Sequence, residues 1–301
     1  MHPRPGGGDF RSIHRAEQTG RCSGFWQGVI SLTLTPGSGI TPRKEGTMNN
    51  ATKVPLGLCL SLCLSFPVRG QLVPDFHPPQ AQCCLRWAAA HLADELQDWN
   101  QLGRNHEDNL RLEKMPATKG RVVFLGDSIT DGWDLAKYFP GKPYVNRGIS
   151  GQTTPQMLVR MYPDVIRLHP AAIIILAGTN DISGNTGPET LEMISDNFRA
   201  LCELAEGHGI KVILSLLLPV SDYTKSKQTE QRPPADILKL NHWLQSYAPD
   251  IHAEIADYYT ALVDEKGMLR EGYSEDGLHP NARGYELMAP VAAAAIERAL
   301  K

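Results

Sequence analysis

The chain has 301 residues, of which 42% are hydrophobic and 21% are charged, and its formal net charge at pH 7 is −3. This composition is ordinary for a globular protein with one large domain or two small ones. The slight acidity and the absence of long Lys/Arg runs argue against a nucleic-acid-binding protein. No apolar run reaches the roughly 18 residues that a membrane-spanning helix needs. We therefore expect no nucleic-acid partner and no stable membrane insertion.

The cysteines show no metal-ligand spacing, and we expect neither a metal site nor a disulfide framework. The six cysteines are Cys22, Cys59, Cys63, Cys83, Cys84 and Cys202. Cys83 and Cys84 are adjacent and poorly placed to pair with each other. A single bridge to Cys202 stays open.

Two segments precede the main part of the chain. Residues 1–47 are rich in Gly, Pro, Arg and Ser, so they are either a disordered tail or an extension upstream of a true start at Met48. Residues 71–120 begin with a proline-broken linker and continue with apolar residues three or four positions apart. We expect a helical lead-in there that covers the sheet and has no chemical role.

Residues 48–70 have the pattern of a signal peptide. Lys53 supplies a positive charge, Val54–Val68 is an apolar run of suitable length, and cleavage is expected before Gln71. A hydrophobic helix packed on the domain is the alternative, which two prolines and a glycine in the run weaken. The sequence thus predicts a secreted or periplasmic protein.

The rest of the chain is organised around Arg121–Trp133, RVVFLGDSITDGW. Val122–Leu125 is short, apolar and partly β-branched, as expected of a strand buried on both faces. Gly126 then permits a sharp turn into Asp127 and Ser128. Ligands of open α/β sheets bind at such carboxyl ends. Taken alone, however, this motif also fits a plain helix cap.

Strands and helices alternate after this motif. Four further strands are predicted at Pro143–Gly148, Ala171–Leu176, Lys211–Leu218 and Ile251–Ala256. Helices are predicted over Thr154–Leu168, Glu189–Glu206, Ala235–Tyr247 and Ala282–Leu300, the last capped by Asn281. The pattern is typical of βαβ units and predicts an α/β fold with one parallel sheet. Right-handed crossovers place the carboxyl ends of all its strands on the same edge.

That edge should gather the groups that a serine hydrolase needs. A serine hydroxyl becomes nucleophilic when an oriented base takes its proton. If the loop of Asp276 and His279 makes one helix-like turn, the carboxylate holds one ring nitrogen while the other faces Ser128. Taken singly, Asp276 fits a turn cap and His279 a surface histidine. The position at the last loop of a parallel sheet favours the catalytic interpretation.

Acyl transfer also needs donors aimed at a developing oxyanion. The candidates are the backbone N–H of Ser128, the backbone N–H of Gly148 and the side-chain amide of Asn180. Gly148 and Asn180 also fit a turn glycine and a cap, respectively. We interpret Asp181 as structural, bound to nearby backbone.

Four ordered motifs now form a specific combination: Gly126-Asp127-Ser128, Gly148, Gly178-Thr179-Asn180-Asp181 and Asp276-Gly277-Leu278-His279-Pro280. They resemble the motifs of the SGNH (GDSL-type) hydrolase family. The resemblance covers residues 121–301, which it identifies as the hydrolase domain.

The resemblance implies a flavodoxin-like three-layer α/β/α sandwich, here with a parallel five-stranded sheet. It also implies ester hydrolysis through an acyl-serine, with no cofactor and no metal. The family's nucleophile falls on Ser128, and its acid and base fall on Asp276 and His279. Its oxyanion donors fall on Ser128, Gly148 and Asn180.

Three rival functions fit the sequence less well. A lipase of the α/β-hydrolase type needs G-x-S-x-G, which the residues after Ser128 do not provide. A phosphotransferase using Asp127 as nucleophile should carry metal-binding carboxylates at the same edge. A binding module without catalysis is disfavoured because all candidate catalytic residues are present.

The polar loop Ser221–Pro234 leaves the fourth strand at the predicted catalytic edge and contains one aromatic residue, Tyr223. A lipase needs a sizeable apolar surface at its pocket mouth. We therefore expect a small-molecule or carbohydrate ester as substrate, with a short acyl chain such as acetyl. A lipase or lysophospholipase acting on longer chains is the alternative, and a merely solvated loop is equally compatible with the composition.

Overall fold

The computed structural model describes residues 98–115, 118–224 and 227–301. The predicted tail, the signal peptide and the first part of the helical lead-in lie outside the described residues. So do all the cysteines except Cys202, which is a buried free thiol. The cysteines with which the sequence left a bridge to Cys202 open are thus not among the described residues. Burial raises the pKa of this thiol to about 12.

Five short parallel strands form one sheet in the order β2-β1-β3-β4-β5. The strands are β1 Val122–Gly126, β2 Tyr144–Gly148, β3 Ala172–Leu176, β4 Lys211–Ser215 and β5 Glu254–Ala256. Gly126 at the end of β1 lies in register with Gly148 and Leu176. The strand order is that of flavodoxin-like folds and confirms the predicted fold class.

Helices connect the strands. In the described residues they are α1 His106–Glu113, α2 Ser128–Asp131, α3 Leu135–Tyr138, α4 Thr154–Val159, α5 Met161–Asp164, α6 Thr179–Ile182, α7 Leu191–Gly207, α8 Gln228–Gln231, α9 Pro234–Tyr247, α10 Tyr258–Leu262 and α11 Ala282–Ala299. Short 3₁₀ turns occupy Ile166–Leu168 and Ala248–Ile251. Within these residues, no helix combines the length and apolarity needed to cross a bilayer.

Two hydrophobic cores lie on opposite faces of the sheet, which makes three layers. On one face, Leu125 packs in a cluster that includes Phe198 of α7 and Leu240 of α9. On the other, Phe124 packs in a cluster that includes Trp133 and Met288 of α11. Every residue of β1 and β3 is buried. Their continuous apolar runs follow from this burial on both faces.

The prediction of one continuous helix over Thr154–Leu168 is wrong. The structure divides it into α4, α5 and a 3₁₀ turn, and Arg160 between the two helices has φ −93° and ψ 5°. Pro163 lies in this segment and has no backbone N–H to donate to residue 159. The break falls at Arg160, whose side chain is completely buried.

Two predicted strands are shorter than expected. β4 ends at Ser215 because Leu217 donates its N–H to the Asn241 side chain, at 2.7 Å, instead of to a strand. β5 starts at Glu254 because His252 before it takes a left-handed conformation with φ 52°. The polar loop after β4 also contains the short helix α8, which the sequence did not predict.

A buried acidic pair joins α6 to the segment before α7. Asp181 accepts the N–H of Thr154 at 2.9 Å and also accepts its hydroxyl, which confirms contact with nearby backbone. One oxygen each of Asp181 and Glu189 is buried without a donor. Burial raises the pKa of Asp181, and burial with the charge of Asp181 raises that of Glu189. One retained proton would satisfy both oxygens.

The pair makes stability pH-dependent. A carboxyl whose pKa is raised by folding stabilises the native state while it stays protonated, so stability falls as pH rises from about 4 through the raised pKa. In Glu189→Gln, the amide can donate to Asp181 at any pH. We expect the loss in free energy of unfolding between about pH 5 and about pH 8 to shrink by on the order of 1 kcal/mol. Urea denaturation at both pH values measures it.

Glu265→Gln, at an exposed position in a turn, is the matched control and should leave the pH dependence unchanged. An unchanged pH dependence in Glu189→Gln would contradict a proton shared between the two acids.

Candidate active site

The end of β1 places Ser128 at the sheet edge. Asp127 caps α2 by accepting the N–H of Ile129 at 2.9 Å. A Cβ on Gly126 would lie 2.1 Å from Oγ1 of Thr130, so only glycine lets the strand turn this closely into the helix. Ser128 is the first residue of α2 and is partly exposed. Its hydroxyl is therefore accessible at the edge where ligands of such sheets bind.

The loop between α10 and α11 presents the imidazole of His279. Oδ1 of Asp276 accepts the N–H of Leu278 at 2.9 Å and of His279 at 2.8 Å. The turn is not helix-like as predicted, because Gly277 has φ 82°. The N–H of Ser221 donates to the carbonyl of Gly277 at 2.8 Å, which holds the turn against the loop after β4. A Cβ at Gly277 would lie 1.9 Å from the carbonyl oxygen of Ser221, so only glycine allows this close approach.

Two hydrogen bonds connect Asp276, His279 and Ser128. The Nδ1 of His279 lies 2.6 Å from Oδ2 of Asp276, and its Nε2 lies 2.9 Å from Oγ of Ser128. Burial acts to raise the pKa of Asp276, but the His279 side chain and two backbone N–H donors lower it to about 2. The carboxylate is thus ionised, so Nδ1 carries the ring proton and Nε2 can accept the serine proton.

This arrangement is reachable from solvent. The side chains of His279 and Asp276 are 43% and 42% exposed. A substrate can therefore approach the imidazole and the serine hydroxyl without a change in the backbone.

Asn180 and Ser128 offer donors on the same edge. Asn180 is buried in α6, and its Nδ2 donates one hydrogen to the carbonyl of Gln152 at 3.0 Å, leaving a second hydrogen on this nitrogen. The N–H of Ser128 opens α2 and has no intrahelical acceptor. Both groups are suited to a developing negative oxygen.

Gly148 lies where predicted, but its N–H is engaged. A Cβ there would lie 2.0 Å from the backbone nitrogen of Asp131, so glycine is required where β2 meets α2. Its N–H donates to Oδ1 of Asn146 at 2.8 Å. Asn146 in turn donates to the carbonyl of Thr130 at 2.6 Å. A ligand oxygen would therefore share the Gly148 donor with Asn146.

The sequence interpretation missed Asn146, although an Asn two residues before a glycine is a recognisable turn-forming pattern. It also missed Arg160, whose guanidinium is completely buried. Arg160 donates to the carbonyl of Gly126 at 3.0 Å and to that of Arg147 at 2.7 Å. It thus joins the ends of the two strands that carry Ser128 and Gly148, and no spacing pattern signals such a contact.

Arg232 is a third residue that the sequence interpretation missed. Its Nη2 lies 3.2 Å from Oδ1 of Asn180, and the residue is 6% exposed. Burial lowers its pKa, while the charges of Asp127 and Asp276 raise it. Its position in a polar loop had suggested only solvent contact.

Asp127 is unsuited to nucleophilic attack. Its side chain has no solvent exposure, and burial raises its pKa to about 6. A substrate cannot reach this carboxylate, which weakens the alternative of a phosphotransferase that uses Asp127 as its nucleophile.

Solved structures and curated sequences resemble this chain. A candidate acylhydrolase from Bacteroides fragilis is 38% identical, covers 68% of this chain and 99% of its own, and superimposes with a TM-score of 0.64. An acetylxylan esterase from Xylanibacter ruminicola is 28% identical over 62% of this chain and 45% of its own length. An uncharacterized lipoprotein from Bacillus subtilis is 31% identical over 33% of this chain and 49% of its own length.

The chain spans about half the length of these two curated relatives. The profile of the GDSL-like lipase/acylhydrolase family matches residues 124–287, from within β1 into α11. The match includes every predicted site residue and more than half of the 301 residues. The chain therefore belongs to the GDSL-like lipase/acylhydrolase family.

Proposed function

We propose that this protein is a serine esterase that hydrolyses carboxylic esters through an acyl-serine intermediate. The observation that carries the proposal is the pair of hydrogen bonds from an ionised Asp276 through His279 to Ser128. Membership of an acylhydrolase family supports the same chemistry.

In the first step, Oγ of Ser128 attacks the ester carbonyl carbon while Nε2 of His279 takes the hydroxyl proton. Asp276 stabilises the imidazolium that forms and keeps the ring oriented. The carbonyl oxygen becomes negative and accepts hydrogen bonds from the Ser128 N–H and from Nδ2 of Asn180. The N–H of Gly148 can add a third hydrogen bond to this oxygen if it shares its donor between the substrate and Oδ1 of Asn146.

In the second step, the tetrahedral intermediate collapses. The bond between the carbonyl carbon and the alcohol oxygen breaks, and His279 gives its proton to the leaving alcohol. A water molecule then attacks the acyl-serine with His279 again acting as base. The carboxylic acid is released, and Ser128 regains its proton.

The proposed substrate is a water-soluble ester with a short acyl chain, such as an acetylated carbohydrate. Large hydrophobic side chains that are exposed in the described residues all lie outside the loops that carry Ser128, Gly148, Asn180 and His279. These loops thus offer little of the apolar surface that a lipid aggregate would contact, although the exposed Trp99 lines a cavity beside the loop after β2, together with Ser150 and Gly151. The similarity to an acetylxylan esterase points the same way.

Export from the cytoplasm is a further part of the proposal. Its supports are the positive charge and apolar run after Met48 and the similarity to a bacterial lipoprotein.

Ser128→Ala and His279→Ala should each lower kcat by at least about 10³-fold, because each removes one partner of proton transfer. Hydrolysis of nitrophenyl acetate by the purified variants measures the loss, and thermal unfolding confirms that they are folded. Ser246→Ala, on the exposed side of α9, is the control and should keep wild-type turnover. Turnover above about a tenth of wild type in either variant would reject the assignment.

Across a nitrophenyl ester series, kcat/KM should be highest for acetyl to butanoyl esters and fall steadily towards palmitoyl. The physical reason is that the loops that carry the site residues are polar and give a long chain little apolar surface to contact. Ser128→Ala serves as the blank for spontaneous hydrolysis. A maximum at dodecanoyl or longer chains would instead indicate a lipase or lysophospholipase.

Expression from Met48 in a secreting host should yield mature protein that starts near Gln71. N-terminal sequencing of the exported material measures the cleavage site. Leu60→Arg places a charge inside the apolar run and should retain the protein in the cytoplasm. Cytoplasmic wild-type enzyme with an intact N-terminus would contradict export.

A further inference from the structure

Arg232 lies in the loop between β4 and α9, directly after α8, yet it is one of the most buried charged residues near the site. It is 6% exposed, and its Nε is buried without a hydrogen-bond partner. Burying a guanidinium is costly unless it is paired and hydrogen-bonded. This cost makes its contacts informative.

Its contacts lead to Asn180. Nη2 donates to Oδ1 of Asn180 at 3.2 Å, while Nη1 donates to the side-chain oxygens of Gln228 at 3.0 Å and Gln231 at 3.1 Å. The two glutamines of α8 therefore hold the guanidinium, and the guanidinium holds the amide. In this way α8 is linked to α6 across the site.

The contact determines which way the Asn180 amide points. A guanidinium only donates, and the carbonyl of Gln152 on the other side only accepts. Oδ1 must therefore face Arg232, and Nδ2 must face Gln152 and the sheet edge. The reverse orientation would place an N–H against the guanidinium and an oxygen against a carbonyl, so the chemistry alone excludes it.

We propose that Arg232 is a positioning residue of the oxyanion hole, acting through the side-chain amide of Asn180. It holds Nδ2 in the orientation that donates to the carbonyl oxygen of the substrate. The positive guanidinium beside the amide oxygen also draws electron density from the nitrogen, which strengthens the Nδ2–H donor. This inference rests on the proposed esterase function and adds a residue to its site.

A second explanation has to be separated from this one. The charges of Asp127 and Asp276 both act on Arg232. If these interactions are its whole role, Arg232 only balances the charges of the two carboxylates. Its loss would then affect His279 through Asp276. That effect would not depend on the presence of Asn180, which provides the discriminating test.

The test is a double-mutant cycle on kcat and KM for nitrophenyl acetate. Asn180→Ala should lower kcat roughly 10²–10³-fold, as the loss of one oxyanion donor does. Arg232→Met should lower kcat roughly 10- to 100-fold, the effect of one charge-assisted hydrogen bond, with KM changed less than about twofold. The double variant should be no slower than Asn180→Ala alone.

Arg121→Met is the matched control for removing a buried guanidinium. Arg121 is 3% exposed and donates to the carbonyl of Leu168, at the amino end of β1. The Arg121→Met variant should be less stable than the wild type but keep the wild-type kcat. If Arg232→Met fails to fold, Arg232→Gln provides the same cycle, because its amide can still donate to Asn180; its kcat should then lie between those of wild type and Asn180→Ala.

The outcomes distinguish a failure of the proposed esterase function from a failure of the proposed role of Arg232. A wild-type enzyme without esterase activity would reject the proposed function itself. An active wild type with unchanged kcat in the Arg232 variants would reject only the role of Arg232. Equal losses from the Arg232 substitution with and without Asn180 would also overturn it and would identify Arg232 as a charge-balancing residue.

Discussion

The completely buried guanidinium of Arg160 holds together the edge on which the site is built. It donates to the carbonyl of Gly126 at the end of β1, to that of Arg147 near the end of β2 and, at 2.5 Å, to the side chain of Gln152. Its charge is paired with Asp164 at 2.8 Å, which offsets the cost of leaving water. Removing it would take a donor from all of these buried acceptors at once. These contacts fix the ends of β1 and β2 relative to each other, and with them the positions of Ser128 and of the loop after β2, as precise catalysis requires.

The side chains of His279 and Asn180 are each held by a separate set of hydrogen bonds. The imidazole of His279 depends on the turn that Asp276 makes with its own backbone neighbours. The amide of Asn180 depends on Arg232 and on the carbonyl of Gln152. In both cases, the hydrogen-bond donors and acceptors permit only one orientation of the side chain. In the proposed mechanism, charge can then develop on the substrate oxygen while little in the protein has to reorganise.

How far the sequence predicted the molecule depends on the range of the interactions. Strands such as β1 and β3 were predicted almost to the residue, because burial on both faces leaves a continuous apolar run. Ser128 and His279 could be located because parallel topology collects strand ends at one edge. Arg160 and Arg232 could not, since a buried arginine is recognised only from the acceptors around it. The break of the helix near Pro163 and the short helix α8 likewise depend on tertiary contacts that no local period encodes.

The central claim is that the hydroxyl of Ser128 is the group that takes the acyl chain. A serine-directed alkyl phosphonate replaces the ester in the first step and leaves a stable adduct on the attacking oxygen. Tandem mass spectrometry of the digested protein then locates the added mass. The account predicts a single phosphonyl group on Ser128, at a rate that falls sharply in His279→Ala. A phosphonyl group on another residue, or no adduct on an enzyme that still hydrolyses esters, would contradict it.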